Sequence, residues 1–156
     1  MQMTAGADYA KHCSWKQGEF EISTDPARID FSLVHQFLTN SYWAPGVPLE
    51  TVQRSIQHSL CFSVYHGPQQ VGFARAVTDR ATFAYIADVF VTEPYRGRGL
   101  AKWLIQCVKS HPDLQGLRRW MLATRDAHGL YQQFGFTQLS DPDPWMEIHN
   151  ANVYRG

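Results

Sequence analysis

Residues 88–104 read Asp-Val-Phe-Val-Thr-Glu-Pro-Tyr-Arg-Gly-Arg-Gly-Leu-Ala-Lys-Trp-Leu, and this stretch decides the fold of the chain. It predicts the end of a buried strand, a glycine-rich turn and the first turns of an amphipathic helix. Gly97 and Gly99 let the backbone approach a ligand because glycine has no Cβ. The first N–H groups of a helix have no partner inside it, and the helix dipole makes them favour anions. The stretch therefore predicts a phosphate site flanked by Arg96 and Arg98, or else a plain turn with two surface arginines.

The segments on either side of the turn have clear patterns. Residues 83–91 are apolar on both faces with few breaks, which is typical of a central strand covered on both sides, and the predicted strand runs over residues 82–91. The helix that begins at Leu100 has one apolar face, and Pro112 ends it because the residue before a proline is disfavoured in the helical region. The apolar positions follow the helical spacing; they are Leu100, Trp103, Leu104, Cys107 and Val108.

Breaker residues and hydrophobic periodicity divide the rest of the chain. The predicted strands are 18–23, 60–65, 70–77 and 117–123, with two weak final strands at 136–139 and 145–148; the predicted helices are 31–40, 48–59 and 128–134. Asp30 is a plausible cap for the first helix. Residues 1–16 are weakly patterned and predict a partly loose end. With 156 residues, the chain predicts a single domain over residues 1–156.

Composition narrows the class of partner and the compartment. Lys plus Arg and Asp plus Glu both number 14, so a zero net charge argues against charge-driven binding to nucleic acid or to an anionic membrane. The three cysteines lack close pairs and C-x-x-C spacing, which favours reduced thiols and argues against a metal site. No apolar run resembles a signal peptide or a membrane span. We therefore expect a cytoplasmic protein.

The phosphate turn does not fit the nucleotide motifs. There is no P-loop, and the G-x-G-x-x-G fingerprint fails at Lys102. The run from Arg96 to Ala101 instead fits [Q/R]-x-x-G-x-[G/A], and the run from Ala127 to Phe136 is similar to A-x-x-x-Y-x-x-x-G-F. Together these motifs resemble those of the GNAT superfamily of N-acetyltransferases, with clear matches over residues 83–136.

The resemblance implies an α/β fold with a mixed, mostly antiparallel central sheet, helices on both faces and two splayed parallel strands. It also implies acetyl-CoA as cofactor, with the pantetheine arm between the splayed strands. The reaction would be direct attack by a primary amine in a ternary complex. We expect a small-molecule acceptor; protein lysine, a protein N-terminus and a non-catalytic acyl-CoA-binding module are the alternatives. Many family members dimerise, so the resemblance allows a homodimer, although the sequence does not set the oligomeric state.

The resemblance further assigns the cofactor residues. Expected contacts are Val89, Val91, Arg96, Gly97, Arg98, Gly99, Leu100, Ala101 and Thr124. Thr124 stands where the family often has asparagine, which leaves its bond to the pantetheine amide open. Tyr131 corresponds to the general acid that protonates the leaving thiolate. The alternative is a tyrosine that only packs on a short helix.

The acceptor side is less determined. Asp88 is a carboxylate in an apolar strand, which is costly unless it is partnered. It could hold the ammonium group, act as the base, or bond to neighbouring backbone or an arginine. Tyr85 stands where other members use a glutamate base. The connection between the first two helices lines the acceptor site in this family, so Tyr42, Trp43 and Glu50 are candidates; Trp43 could instead cap the core.

Overall fold

The computed structural model describes residues 11–155. Six strands and four α-helices follow one another along the chain. They are β1 (Ser14–Gln17), β2 (Phe20–Ser23), α1 (Phe31–Thr39), α2 (Leu49–Gln57), β3 (Leu60–His66), β4 (Gln69–Thr78), β5 (Phe83–Val91), α3 (Leu100–Ser110), β6 (Arg119–Leu122) and α4 (His128–Gln132). Among these residues no helix is both long and apolar enough to cross a membrane.

The strands form one mixed sheet in the order β1-β2-β3-β4-β5-β6. Neighbouring strands are antiparallel except β5 and β6, which run parallel because α3 carries the chain back across the sheet. Their pairing begins at Phe83 with Arg119 and ends at Ile86 with Leu122, although β5 continues to Val91. The predicted α/β fold with a mostly antiparallel sheet is therefore confirmed, and the parallel pair comes apart where the site lies.

Both faces of the sheet are covered by helices, and each face has its own core. On one face α3 buries Leu104, Ile105 and Val108 together with residues of β3 and β4. On the other face the buried residues of α1 and α2 pack against the sheet; the cluster includes Val34, Leu38, Val52, Ile56, Phe73 and Phe90. Phe37 of α1 stacks on Phe90 with ring centroids 3.9 Å apart. This stacking places the end of α1 above the open end of β5.

A β-bulge interrupts the pairing of β4 with β5 near the middle of the sheet. Phe73 pairs with Phe90 and Arg75 pairs with Ala87, so Ala74 faces two residues, Asp88 and Val89. Asp88 has a φ of 57°, a left-handed conformation that non-glycine residues rarely adopt. A bulge re-aims side chains and frees ladder groups at sheet edges and sites. Here it turns Asp88 toward the connection between α1 and α2.

The helix ends follow the predicted chemistry. The Asp30 side chain accepts a hydrogen bond from the Leu33 N–H at 3.1 Å, which confirms the predicted cap of α1. Gly99 precedes α3 with a φ of 76°, and Gly97 has a φ of 78°. Both glycines therefore adopt the left-handed backbone conformation, in which a residue with a Cβ would be strained.

The two chain ends differ from the predictions. Residues 14–17 pair with β2, and the Trp15 ring stacks near Phe62 at 6.1 Å, so the loose end does not extend to residue 16; residues 1–10 lie outside the described residues.

The final strands at 136–139 and 145–148 are absent from the described residues. Pro142 and Pro144 lie between these segments and donate no ladder hydrogen bond. An extended segment also needs a neighbouring strand, and neither segment has one among residues 11–155.

Candidate active site

A cleft of about 570 Å³ opens where β5 and β6 come apart. Its floor is the end of β5, and its walls are the start of α3, the segment that follows β6, α4 and the loop after α1. Its lining includes ten residues predicted from the sequence: Tyr42, Trp43, Tyr85, Asp88, Val89, Val91, Arg96, Ala101, Thr124 and Tyr131.

The first backbone N–H groups of α3, which follow the glycine turn, are unpaired. The first N–H of the helix that bonds back is that of Trp103, which donates to the Gly99 carbonyl at 3.1 Å. The preceding N–H groups have no intrahelical acceptor, and no side chain caps them. Arg96 ties the turn to the strand because its Nε donates to the Val91 carbonyl at 2.9 Å. Arg98 lies over the Tyr95 ring at 5.4 Å, outside the cleft lining.

The remaining predicted cofactor residues differ in what they expose. A Cβ added at Gly97 or Gly99 would meet no atom within 4 Å, so the turn faces open space. The Leu100 side chain is buried in the core cluster of α3. Thr124 Oγ1 accepts a hydrogen bond from the Ala127 N–H at 3.1 Å just before α4, although its own hydroxyl proton is still available to a ligand.

Tyr131 lies on α4 with its side chain 8% exposed, and it lines the cleft. Its ring meets Phe136 edge-on with centroids 5.9 Å apart. Burial raises the pKa of Tyr131 to about 12, with smaller effects from Tyr42 and the Asp126 carboxylate. The phenol therefore keeps its proton at neutral pH. Among residues 11–155 its hydroxyl has no hydrogen-bond partner, so it is available to a ligand in the cleft.

Asp88 is held by two side chains from other parts of the chain. Trp43 Nε1 donates to Oδ1 at 3.0 Å, and Arg75 Nε donates to Oδ2 at 2.8 Å. Arg75 is itself held by Ser59, whose Oγ accepts from Nη1 at 3.2 Å. Both charged side chains are mostly buried. Of the roles open for Asp88, this geometry favours a carboxylate partnered by an arginine over a free base.

Arg75 was missed by the sequence reasoning. It is the charged residue in an otherwise apolar stretch of β4, from Val71 to Val77. A lone arginine and a lone aspartate in neighbouring apolar strands are the signal that could have found the pair, since each charge needs a partner when it is buried.

Aromatic side chains form the wall opposite Tyr131. The Tyr42 and Trp43 rings meet edge-on at 5.0 Å. Arg125 covers the Tyr42 ring at 3.8 Å, and its backbone N–H donates to the Tyr42 hydroxyl at 3.2 Å. Arg125 is therefore part of this wall, although it remains exposed to solvent. Tyr85 lines the cleft with 36% of its surface exposed.

Glu50 does not join this wall. Its carboxylate accepts from Arg54 Nη2 at 3.1 Å on the solvent side of α2, and its side chain is 82% exposed. A second hollow of about 600 Å³ adjoins the cleft beside α1 and shares Phe37, Trp43 and Arg96 with it. The acceptor side of the cleft is therefore defined by the aromatic residues and not by Glu50.

Cysteine and metal chemistry find no support in the part of the chain that is described. Burial raises the pKa of the Cys61 and Cys107 thiols to about 12, so neither is a thiolate near neutral pH, and neither lines the cleft. Residues 11–155 hold no cluster of three or more His, Cys, Asp or Glu side chains placed to bind a metal ion.

The splayed strands, the glycine turn and the tyrosine meet in one cleft, and comparison with known proteins identifies the family. Residues 27–136 match the model of the acetyltransferase (GNAT) family. The chain belongs to the GNAT family of acetyltransferases, as its two motifs predicted.

Individual relatives agree with this assignment. The chain is 30% identical over 141 residues to the candidate acetyltransferase FG08082 of Gibberella zeae, covering 76% of this chain and 78% of that protein. It is 47% identical to a GNAT-family candidate acetyltransferase of Xanthomonas campestris pv. campestris, with a TM-score of 0.87 over 90% of this chain and all of the other. A candidate acetyltransferase of Clostridium acetobutylicum, solved with acetyl-CoA, shares the fold at a TM-score of 0.62 and 15% identity, over 83% of this chain and 94% of that one.

Proposed function

We propose that the protein transfers an acetyl group from acetyl-CoA to the primary amine of a small molecule. One observation carries the proposal: the protonated Tyr131 hydroxyl lies in the same cleft as the residues Arg96 and Ala101 beside the unpaired N–H groups of α3. An anion site and a proton donor thus lie at the two ends of one cleft between splayed strands. Acyl transfer from a pyrophosphate-containing thioester requires both.

The backbone of residues 96–101 would hold the pyrophosphate. The Arg96 N–H donates to the Glu93 carbonyl at 3.2 Å, but the N–H groups at the start of α3 have no intrahelical acceptor. The helix dipole adds positive potential, and the glycines leave the approach free of side chains. Val89 and Val91 at the open end of β5 would present backbone groups to the pantetheine arm. When bound, acetyl-CoA supplies an activated acetyl thioester.

Tyr131 would act as the general acid that protonates the leaving thiolate. The new carbon–nitrogen bond forms as the carbon–sulfur bond breaks, and the net proton transfer is from the attacking nitrogen to the sulfur. A phenol that keeps its proton at neutral pH can donate to the departing thiolate. The proton lost by the nitrogen leaves through water, because Asp88 already accepts two hydrogen bonds. An N–H released by the bulge at Asp88 and Val89 would donate to the developing oxyanion.

The walls of the cleft favour a small acceptor with apolar or cationic character. Tyr42, Trp43 and Tyr85 present ring surface to it, which suits the apolar body or the charged group of an amine. Arg125 and Asp126 at the rim add one charge of each sign. An amino-acid-like amine fits this combination. The acceptor must be small, because it shares the cleft volume of about 570 Å³ with the pantetheine arm of the cofactor.

The setting that we propose is the cytoplasm, because Cys13, Cys61 and Cys107 are all free thiols. We also propose that the protein acts on small molecules without nucleic-acid or membrane partners, in keeping with its zero net charge.

Thermal melting with and without acetyl-CoA tests the cofactor, and release of free CoA across a panel of amines tests the acceptor. Acetyl-CoA at about 100 times its Kd should stabilise the fold by about 2.7 kcal/mol, whereas ATP and NAD should not. CoA release with small amines, and not with lysine-containing peptides, is the expected result. Release with peptides alone would replace the small-molecule acceptor by a protein. Stabilisation without release from any amine would indicate a binding module, and no stabilisation would contradict the cofactor site.

A further inference from the structure

Arg125 is a charged residue of the cleft whose side chain has no polar partner. The charged residues that line the cleft are Asp88, Arg96, Arg125 and Asp126. Asp88 is paired with Arg75, and Arg96 Nε donates to the Val91 carbonyl. Among residues 11–155 the Arg125 guanidinium has no hydrogen bond and no ion pair. A cationic group in the cleft is therefore available to a ligand.

The aromatic wall holds Arg125 in place. Its backbone N–H donates to the Tyr42 hydroxyl at 3.2 Å, and its guanidinium carbon lies 3.8 Å from the centroid of the Tyr42 ring. Tyr42 meets Trp43 edge-on, and Trp43 Nε1 donates to Asp88. A guanidinium group that stacks on a ring keeps the N–H groups at its edge uncovered. Arg125 thus presents a planar set of donors at a defined place, on the wall that we assign to the acceptor.

Asp126 does not neutralise this charge. It is the next residue in the sequence, but it forms no ion pair with Arg125 in the described part of the chain. Asp126 and Arg96 line both the cleft and the second hollow beside α1, whereas Arg125 lines only the cleft. The Asp126 carboxylate therefore faces the side on which Arg96 lies. Since Asp88 is already paired with Arg75, the charge of Arg125 has no counter-charge on the acceptor side.

A guanidinium group with free donors matches a carboxylate, which accepts two parallel N–H···O hydrogen bonds from it. We propose that the acceptor is a primary amine that also carries a carboxylate group, and that Arg125 binds this carboxylate. The inference rests on the proposed acetyl transfer and names the class of acceptor. The rings of Tyr42, Trp43 and Tyr85 would contact an apolar side chain. A free amino acid with such a side chain is therefore the expected substrate.

The phosphates of the cofactor are the other anions that an arginine in this cleft could bind. Their proposed site is the start of α3, where backbone N–H groups are unpaired and no side chain caps them. Arg125 instead contacts Tyr42, which belongs to the loop after α1 and lines the second hollow together with Trp43. The position of Arg125 therefore favours the acceptor over the cofactor.

Matched pairs of acceptors test the carboxylate. Each pair is an amino acid with an apolar side chain and its carboxamide, such as L-leucine with L-leucinamide and L-phenylalanine with L-phenylalaninamide. The acid preference is the kcat/KM for the acid divided by the kcat/KM for the amide, both measured by CoA release. In Arg125→Ala this preference should fall about tenfold from its wild-type value, as expected for the loss of a hydrogen bond to a charged group. Comparing one pair in two proteins cancels the difference in basicity between the two amines.

Two further variants separate carboxylate binding from a structural role. Arg125→Lys keeps the charge but loses the planar fork, so its acid preference should lie between those of wild type and Arg125→Ala. Arg119→Ala is the matched control and should keep the wild-type preference. The Arg119 guanidinium also lies over an aromatic ring, 4.6 Å from the centroid of Trp145, and the residue is exposed, but it does not line the cleft. An equal loss of kcat/KM for acid and amide in Arg125→Ala would overturn the proposal, because Arg125 would then only support the wall.

Calorimetry of the same pairs with the CoA-bound protein distinguishes the acceptor class from the reaction. Binding of the acid that is tighter than that of the amide, and that loses this advantage in Arg125→Ala, would support the carboxylate site. If no amine released CoA in that case, only the proposed acetyl transfer would be contradicted.

Three results would overturn the inference. A wild-type protein that acetylates only amines without a carboxylate would do so and leave the acetyl transfer standing. An unchanged acid preference in Arg125→Ala, with a Kd for acetyl-CoA that rises about tenfold, would assign Arg125 to the cofactor. Neither binding nor turnover of any acid in the panel would overturn it as well.

Discussion

The two sides of the cleft are built in different ways. The cofactor side comes from one continuous stretch, residues 88–104, and its expected contacts are backbone groups of a turn and a helix start. The acceptor side is assembled from separate parts of the chain: Trp43 from the loop after α1, Arg75 from β4 and Arg125 from the segment after β6. Backbone recognition can be encoded by local sequence, whereas side-chain recognition here depends on which segments the fold brings together. The following predictions are ordered from the largest expected effect to the smallest.

Tyr131→Phe tests the chemical end of the cofactor side. We expect turnover to fall by about 100-fold to 10,000-fold, the usual contribution of a general acid. Stabilisation by acetyl-CoA in thermal melting should be unchanged, because phenylalanine keeps the packing on Phe136. Steady-state kinetics with the best amine, together with melting curves, measure both quantities.

The pH profile is an independent check on Tyr131. Its pKa is raised to about 12 by burial, so the rate of the wild-type enzyme should show no decline from this group until the pH approaches that value. If the Tyr131→Phe variant turned over nearly as fast as the wild type, Tyr131 would lose the acid role and remain a packing residue.

Gly99→Ala tests the backbone site. Alanine in left-handed backbone costs roughly 1–2 kcal/mol, and relief of this strain would shift the turn and misplace the N–H groups of α3. We expect the Kd for acetyl-CoA to rise about tenfold, measured by calorimetry, which corresponds to about 1.4 kcal/mol.

Gly116→Ala is the matched control for that variant. Gly116 has a φ of 73°, and like Gly99 it has open space where a Cβ would lie, but it does not line the cleft. The two variants should lose similar stability, while only Gly99→Ala should lose cofactor affinity. Equal cofactor affinity in both would show that residues 96–101 do not form the pyrophosphate site.

Asp88→Asn distinguishes a positioning role from a base on the acceptor side. If Asp88 holds the bulge and Trp43, the variant should lose about 1–3 kcal/mol of stability, since hydrogen bonds to a charged group are weakened. The KM for the amine should rise a few-fold, and the turnover rate should change by much less than the loss of a base would cause.

Trp43→Phe is the companion variant, because it keeps an aromatic ring but removes the N–H that donates to Asp88. It should raise the KM for the amine to a similar extent and leave acetyl-CoA affinity unchanged. If turnover instead slowed by about 100-fold or more in Asp88→Asn, but not in Trp43→Phe, Asp88 would be identified as the base.

Much of the fold could be predicted because its signals are local. The apolar run of β5, the helical spacing after Leu100 and the Asp30 cap each depend on residues close in sequence. The final strands were predicted wrongly for the opposite reason. A segment such as 145–148 has the right residues for a strand, but a strand also needs a neighbouring strand to pair with, and the segment pairs with none in the described part of the chain.

The candidate site divides in the same way. The sequence by itself determined the family, the glycine turn and Tyr131, because a motif needs only adjacent residues and the unpaired groups of a helix start. Only the tertiary structure decided that Asp88 meets Arg75 and Trp43, that Arg125 covers Tyr42 and that Glu50 lies outside the cleft. The contacts of Asp88 and Arg125 join residues that are 13 to 83 positions apart in the sequence. A buried charge such as that of Asp88 needs a partner, and no local sequence pattern indicates which distant residue provides it.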